Sequence, residues 1–164
     1  MYQFNYERPK TLADAEALLA KSDDPKILAG GQTLIPTLKQ RLAMPSDLID
    51  IGGIKDLDFI RAEGDAVMIG AATRHATVAQ SADVKKHNPA LAALAGGIGD
   101  PAVRHMGTLG GSIANNDPAA DYPAACLALD AKIHTTRRLI AADEFFKGMF
   151  ETALQDGEII KEVT

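Results

Sequence analysis

The sequence is poor in the residues that build metal centres and disulfides. Cys126 is the only cysteine in 164 residues. An internal disulfide is therefore excluded, as is a structural zinc site or an iron–sulfur cluster, which draws on about four thiolates. The four histidines, His75, His87, His105 and His134, include no pair at the i,i+4 spacing that places two metal ligands on one helix face. Any metal redox centre working with this chain has to sit on another one. Clustered positive charge is also missing. Lys and Arg number 17 against 22 acids, for a net charge of −5, and the only close basic pairs are Lys85-Lys86 and Arg137-Arg138. A nucleic-acid surface displaces counterions with clustered Lys and Arg, so nucleic acid is excluded as a partner, and membrane-surface binding fails for the same reason. No apolar run is long enough to insert in a membrane. Residues 1–6 lack the basic start and apolar core of a signal peptide, which points to the cytoplasm. What remains is 46% hydrophobic with a mean hydropathy near zero. Such a chain folds, as one ordinary domain or as two small lobes sharing a core.

Local patterns order the first fifty residues as strand–helix–strand–helix–strand, a small α/β lobe. Residues 3–6 read as a short edge strand. Residues 11–20 read as a helix capped by Thr11, with Leu12, Ala15, Leu18 and Leu19 on one face. Residues 26–29 form an apolar strand, and Thr33 is placed to cap a second helix with Pro36 in its first turn. Pro45 ends that helix, and residues 47–51 form the third strand. A lobe boundary falls near Ile54, dividing the chain into lobes 1–54 and 55–164. Beyond it, residues 57–62 and 66–71 read as two strands around a turn at Gly64, followed by a helix with Thr77 as its cap. A shorter helix runs over 89–95, and strands over 131–135 and 139–141. Asp14, Glu16, Asp56 and Asp58 read as solvated charges, and Tyr122 and Phe145 as core.

Glycine is the abundant residue that calls for a reason. Of 14 glycines, six lie between Gly96 and Gly111. Glycine tolerates positive φ and lets a ligand approach where a Cβ would collide. Successive amides in such turns converge on anions, and a following helix adds its partial positive charge. One cluster, Ala29-Gly30-Gly31-Gln32-Thr33-Leu34, joins a strand to a helix and suits a diphosphate; a strand–Gly-Gly–helix turn is also a common structural device. The other, Gly107-Thr108-Leu109-Gly110-Gly111-Ser112, leads into Asn115-Asn116-Asp117-Pro118-Ala119-Ala120-Asp121. Its amides and the hydroxyls of Thr108 and Ser112 are suited to phosphate oxygens, and Asn115 and Asp121 to sugar hydroxyls. Asp117 reads as the cap of a helix started by Pro118. No Gly-x-x-x-x-Gly-Lys-[Ser/Thr] loop occurs, and Gly97-Ile98-Gly99 lacks the third glycine of a Rossmann fingerprint.

Laid side by side, three segments carry a resemblance: residues 29–36, Ile69-Gly70-Ala71-Ala72-Thr73-Arg74-His75, and the stretch from Gly99-Asp100-Pro101 to Asp121. Together they resemble the FAD-binding medium subunits of the molybdenum hydroxylases, the xanthine dehydrogenase and carbon monoxide dehydrogenase group. The resemblance implies an α+β, two-lobed FAD-binding fold of the vanillyl-alcohol oxidase/PCMH type. It implies FAD across both glycine turns, held by Ala29, Gly30, Gly31, Gln32, Thr33, Leu34, Gly107, Thr108, Leu109, Gly110, Gly111, Ser112, Asn115 and Asp121. It also implies an electron-transfer role with an iron–sulfur small subunit and a molybdopterin large subunit, and no catalytic acid, base or nucleophile, because the flavin carries the redox chemistry. Two features depart from the pattern. Ser112 stands where many relatives carry Asn, and the chain stops where relatives continue into a C-terminal subdomain, which implies a fold lacking that subdomain. Two alternatives follow: an assembly subunit that has lost FAD, and a stand-alone flavin oxidoreductase.

Overall fold

The computed structural model describes residues 1–164. The first fifty residues build a three-stranded parallel sheet from β1 (Asn5–Glu7), β2 (Pro25–Leu28) and β3 (Asp47–Asp50), in the order β1-β3-β2. Helices α1 (Leu12–Lys21) and α2 (Leu34–Lys39) make the two crossovers. Thr11 starts α1 as its pattern requires, its Oγ1 accepting from the Asp14 amide at 3.1 Å. That bond satisfies one of the donors left free in a first helical turn. The central strand β3 buries Leu48 and Ile49. Ala15 and Leu19 of α1 pack beneath it with Ile49, Ile51 and Ile54, and Leu57, Ala72 and Ile159 complete this small core. Its last three members come from further along the chain, so the N-terminal sheet is not covered by its own residues alone.

The rest of the chain is built on a five-stranded antiparallel sheet of order β4-β5-β10-β6-β7. A two-residue turn with Gly64 at φ +59° joins β4 (Ile60–Glu63) to β5 (Ala66–Gly70), the left-handed conformation that tight hairpins demand. Six helices then intervene: α3 (His75–Gln80), α4 (Ala82–His87), α5 (Pro89–Gly97), α6 (Pro101–Met106), α7 (Leu109–Asn115) and α8 (Asp121–Ala128). Strands β6 (Lys132–Thr135) and β7 (Leu139–Ala141) return to the sheet. A short α9 (Ala142–Phe145) leads into a small hairpin of β8 (Phe146–Gly148) and β9 (Glu151–Thr152). The final strand, β10 (Ile160–Val163), inserts between β5 and β6, pairing Val163 with both Ile69 and Ile133. Tyr122 and Phe145 are fully buried in the main core with Leu109, Ile113 and Ile133. Each such side chain contributes roughly 1.5–3 kcal/mol through burial.

Several local expectations change. Strand β4 starts at Ile60 instead of Leu57, because a 3₁₀ turn at Lys55–Leu57 drops Leu57 into the small core. Thr77 lies inside α3 instead of capping it, and the helical stretch divides at Ser81, whose Oγ accepts from the Val84 amide at 3.3 Å and starts α4. A serine hydroxyl that takes a nearby amide competes with helix continuation. Asp117 caps no helix: it accepts from the Ala119 amide at 2.9 Å in a tight turn, and α8 starts only at Asp121. Asp14, Asp56 and Asp58 are exposed and Glu16 is half-buried.

Candidate functional site

The first glycine turn is shaped by two constraints. Gly31 has φ +71°, where a side chain is strained. Gly30 packs against the end of α6: a Cβ there would meet the carbonyl oxygen of Met106 and lie 2.7 Å from the Gly107 Cα. The segment therefore presses one glycine cluster against the other. The amides of Gly30, Gly31, Gln32 and Thr33 find no acceptor within the chain. Four consecutive free N–H groups at a strand-to-helix turn are the kind of donor set that an anion-binding nest uses. Gln32 folds back, its Nε2 donating to the Gly30 carbonyl at 3.3 Å. Thr33 makes no side-chain cap, because its backbone is already helical (φ −103°, ψ −50°) instead of extended as a capping residue requires.

The second cluster is organised differently. Gly107 donates to the Val103 carbonyl, Leu109 to Thr73, Gly110 to Ala71 and Ser112 to Thr108. The Gly111 amide donates to Thr108 Oγ1 at 3.1 Å, the cap that starts α7. Of the amides from 107 to 112, only that of Thr108 is free. The expected amide cradle is thus corrected: these donors are spent on the fold. The glycines serve close packing, since a Cβ at Gly110 would lie 2.6 Å from the Ala71 Cβ and one at Gly107 would lie 2.6 Å from His75 Nε2. Polar side chains keep their donors, for the Thr108 and Ser112 hydroxyls and the Asn115 carboxamide donate to nothing within the chain. The neighbouring Asn116 is structural. In the left-handed conformation (φ 44°) it ends α7, and its Nδ2 donates to the Gly148 and Glu151 carbonyls at 2.8 and 2.9 Å.

Between the two turns lies a cleft of about 660 Å³, inside the range of roughly 300–1,000 Å³ typical of small-molecule and cofactor sites. Every residue expected at the site lines it except Leu109 and Asp121. Leu109 is a core residue, 2% exposed. Asp121 is exposed in the first turn of α8, one residue beyond the lining Ala120. Residues not expected at the site also line the cleft, among them Lys26, His75, Asp117, Glu158 and Ile159. His75 stood in a segment that carried the resemblance but had no role assigned. Glu158 and Ile159 had no local signal, because β10 brings them there from the far end of the chain.

Two buried groups of the cleft wall, Glu158 and His75, and one in the main core, Cys126, are shifted by their surroundings. Glu158 receives Arg138 Nε at 3.0 Å, Thr135 Oγ1 at 2.6 Å and the Gln155 amide at 2.9 Å. The Arg138 bond, chiefly, holds its carboxyl down to about 2. Burial pushes the His75 imidazole down to about 4, and it pushes the Cys126 thiol up to about 12, which leaves that thiol unreactive. No group of three His, Cys, Asp or Glu side chains is placed to hold a metal ion. No helix is long and apolar enough to cross a membrane.

Residues 2–164 match the family described as the FAD binding domain in molybdopterin dehydrogenase. The nicotine 6-hydroxylase medium subunit of Paenarthrobacter nicotinovorans is 41% identical over 162 residues, covering 96% of this chain and 57% of its own length. A structure of carbon monoxide dehydrogenase from Hydrogenophaga pseudoflava superposes with a TM-score of 0.95 at 42% identity, covering 98% of this chain and 58% of that one. Quinoline 2-oxidoreductase from Pseudomonas putida 86 gives a TM-score of 0.95 at 33% identity. The chain thus spans under two thirds of the length of the relatives it matches. With its full length matched and its glycine turns facing one cleft, the chain belongs to the FAD-binding domain family of the molybdopterin dehydrogenases.

Proposed function

We propose that this chain holds FAD in the cleft between lobes 1–54 and 55–164, in a PCMH-type arrangement, and serves as the electron-transfer flavoprotein of a molybdenum hydroxylase complex. The residues present fit the cofactor. A diphosphate carries two negative charges and many acceptor oxygens but no donors, and the four free amides from Gly30 to Thr33 are donors without partners. That match is the observation that carries the reading. Ala29 and Leu34 flank those amides, and Thr108, Ser112 and Asn115 offer free side-chain donors from the opposite wall. Gly107 and Gly110 seat that wall against His75 and Ala71, and Gly111 lies across from Ala29. Asp121 lies at the cleft margin, where a sugar hydroxyl is its natural partner. Bound FAD supplies the redox chemistry, and the chain supplies position, electrostatics and exclusion of water.

The partners in this reading are an iron–sulfur small subunit, which delivers electrons, and a molybdopterin large subunit, which oxidises the substrate; activity then requires all three. It is supported by relatives named as medium subunits or medium chains of such enzymes. The single buried, reduced Cys126 suits the cytoplasm. The test is to incubate the purified chain with FAD, remove free cofactor and record the visible spectrum. Retained flavin bands are expected. Their absence would favour an assembly subunit without cofactor, and steady turnover without partner chains would favour a stand-alone oxidoreductase.

A further inference from the structure

His75 is the one buried ionisable side chain in the cleft wall whose chemistry neither the fold nor the proposed cofactor site uses. It opens α3 and is 5% exposed. Its amide donates to the Gly107 carbonyl at 3.0 Å, which fixes the residue against the second glycine turn. Nε2 lies on the Gly107 side of the ring, where a Cβ on that glycine would approach it to 2.6 Å. Nδ1 is buried with no partner, and so is the hydroxyl of Tyr122, whose ring stands 5.3 Å from the imidazole. A buried imidazole with an unpartnered nitrogen costs the fold stability and calls for an explanation.

The surroundings contain nothing to stabilise a charged imidazole. Helix α5, packed against α3, carries no charged residue. On α4, Asp83, Lys85 and Lys86 are exposed and His87 is half-buried. On α6, Arg104 is committed to the Ile98 and Gly99 carbonyls and His105 is exposed. Tyr122 faces the ring from α8, with Cys126 and the exposed Asp121 beyond it. Of the charged groups lining the cleft, Lys26 lies on β2 and pairs with Asp24 at 3.2 Å, Asp117 accepts from the Ala119 amide, and Glu158 is neutralised by Arg138.

Resting on the FAD reading, we propose that His75 is the proton-linked element of the cleft, neutral when the cleft is open and taking up one proton when a diphosphate settles against it. An anion brought into a poorly solvated site favours the charged form of a nearby imidazole. Burial holds the free protein's imidazole at about 4; a higher value in the complex means that binding and protonation assist each other. The sign follows directly. Affinity rises as pH falls through the complex's value, by up to about tenfold per pH unit for one proton, and levels off below the free protein's value.

The test follows the His75 ring resonances by NMR from pH 4 to 8, alone, with FAD and with inorganic pyrophosphate. Flavin fluorescence gives the FAD affinity in parallel. The expected result is a His75 titration raised by at least one pH unit by either ligand, and an affinity that tightens toward acid. His75→Asn should remove that pH slope, with its fold checked by circular dichroism. If FAD binds but the His75 titration does not move, the proposal is overturned and the cofactor reading stands. A slope that survives in His75→Asn overturns it too. If FAD binds at no pH, the cofactor reading fails; a pyrophosphate-induced shift would then still support His75 as an anion-linked group, and an unmoved ring would end both.

Discussion

The two glycine turns look alike in composition and behave oppositely. From Gly30 to Thr33 the amides have no acceptors in the chain, whereas from Gly107 to Ser112 all but that of Thr108 are bonded internally. The first turn uses Gly31 to adopt a positive φ and Gly30 to approach α6 closely, and it leaves its donors open. The other uses glycine to bring α7 onto β5 and α6 onto His75. Glycine density thus reports that backbones come close. It does not say whether the close neighbour is a ligand or the protein itself.

This contrast can be broken at either turn. The largest effect is expected from Gly110→Ala, whose new methyl would meet backbone and Cβ atoms of Ala71 at 2.6–2.9 Å. Overpacking of this kind costs roughly 1–3 kcal/mol. Urea unfolding should show a loss at the upper end of that range, while the folded fraction keeps nearly its full affinity for FAD. The opposite signature is expected at Gly31→Ala. There the positive φ costs about 1–2 kcal/mol, the nearest atom is the flexible Ile35 side chain at 2.9 Å, and FAD affinity should fall about tenfold as the amides lose alignment, the equivalent of 1.4 kcal/mol. Equal losses of stability and affinity at both positions would erase the distinction. The smallest change sharpens it. Thr108→Val deletes the cap of α7, a loss of about 1 kcal/mol, together with one hydroxyl facing the cleft. A modest drop in the unfolding midpoint should accompany a weaker flavin spectrum after gel filtration.

Much of the framework was legible because it rests on short-range chemistry. The Thr11 cap, the Gly64 hairpin and the apolar face of α1 are local consequences of residue type, whereas α2 ends at Lys39, well before Pro45, where the chain turns left-handed at Arg41 (φ 60°). Both cleft walls were legible as glycine clusters, and every residue expected there arrived except Leu109, drawn into the core, and Asp121, left at the margin. Other features were not legible. Thr33 and Thr77 carry capping side chains but sit on backbone already helical. Asn115 and Asn116 are adjacent and chemically identical, yet one lines the cleft and the other holds the β8–β9 hairpin. Only the left-handed turn at Asn116 separates their roles.

The sequence by itself determined that a lone cysteine leaves no internal disulfide, that the net charge is negative, and that two glycine-rich turns adjoin helices. Those are matters of composition and of contacts a few residues apart. Tertiary structure decided which amides stay free, because an amide is spent or open according to the carbonyl that packs beside it. It also decided that β10 closes the sheet and carries Glu158 and Ile159 to the cleft, and that His75 is buried at its wall. Strand pairing and burial join residues far apart in the chain, and no local pattern encodes which distant backbone will arrive.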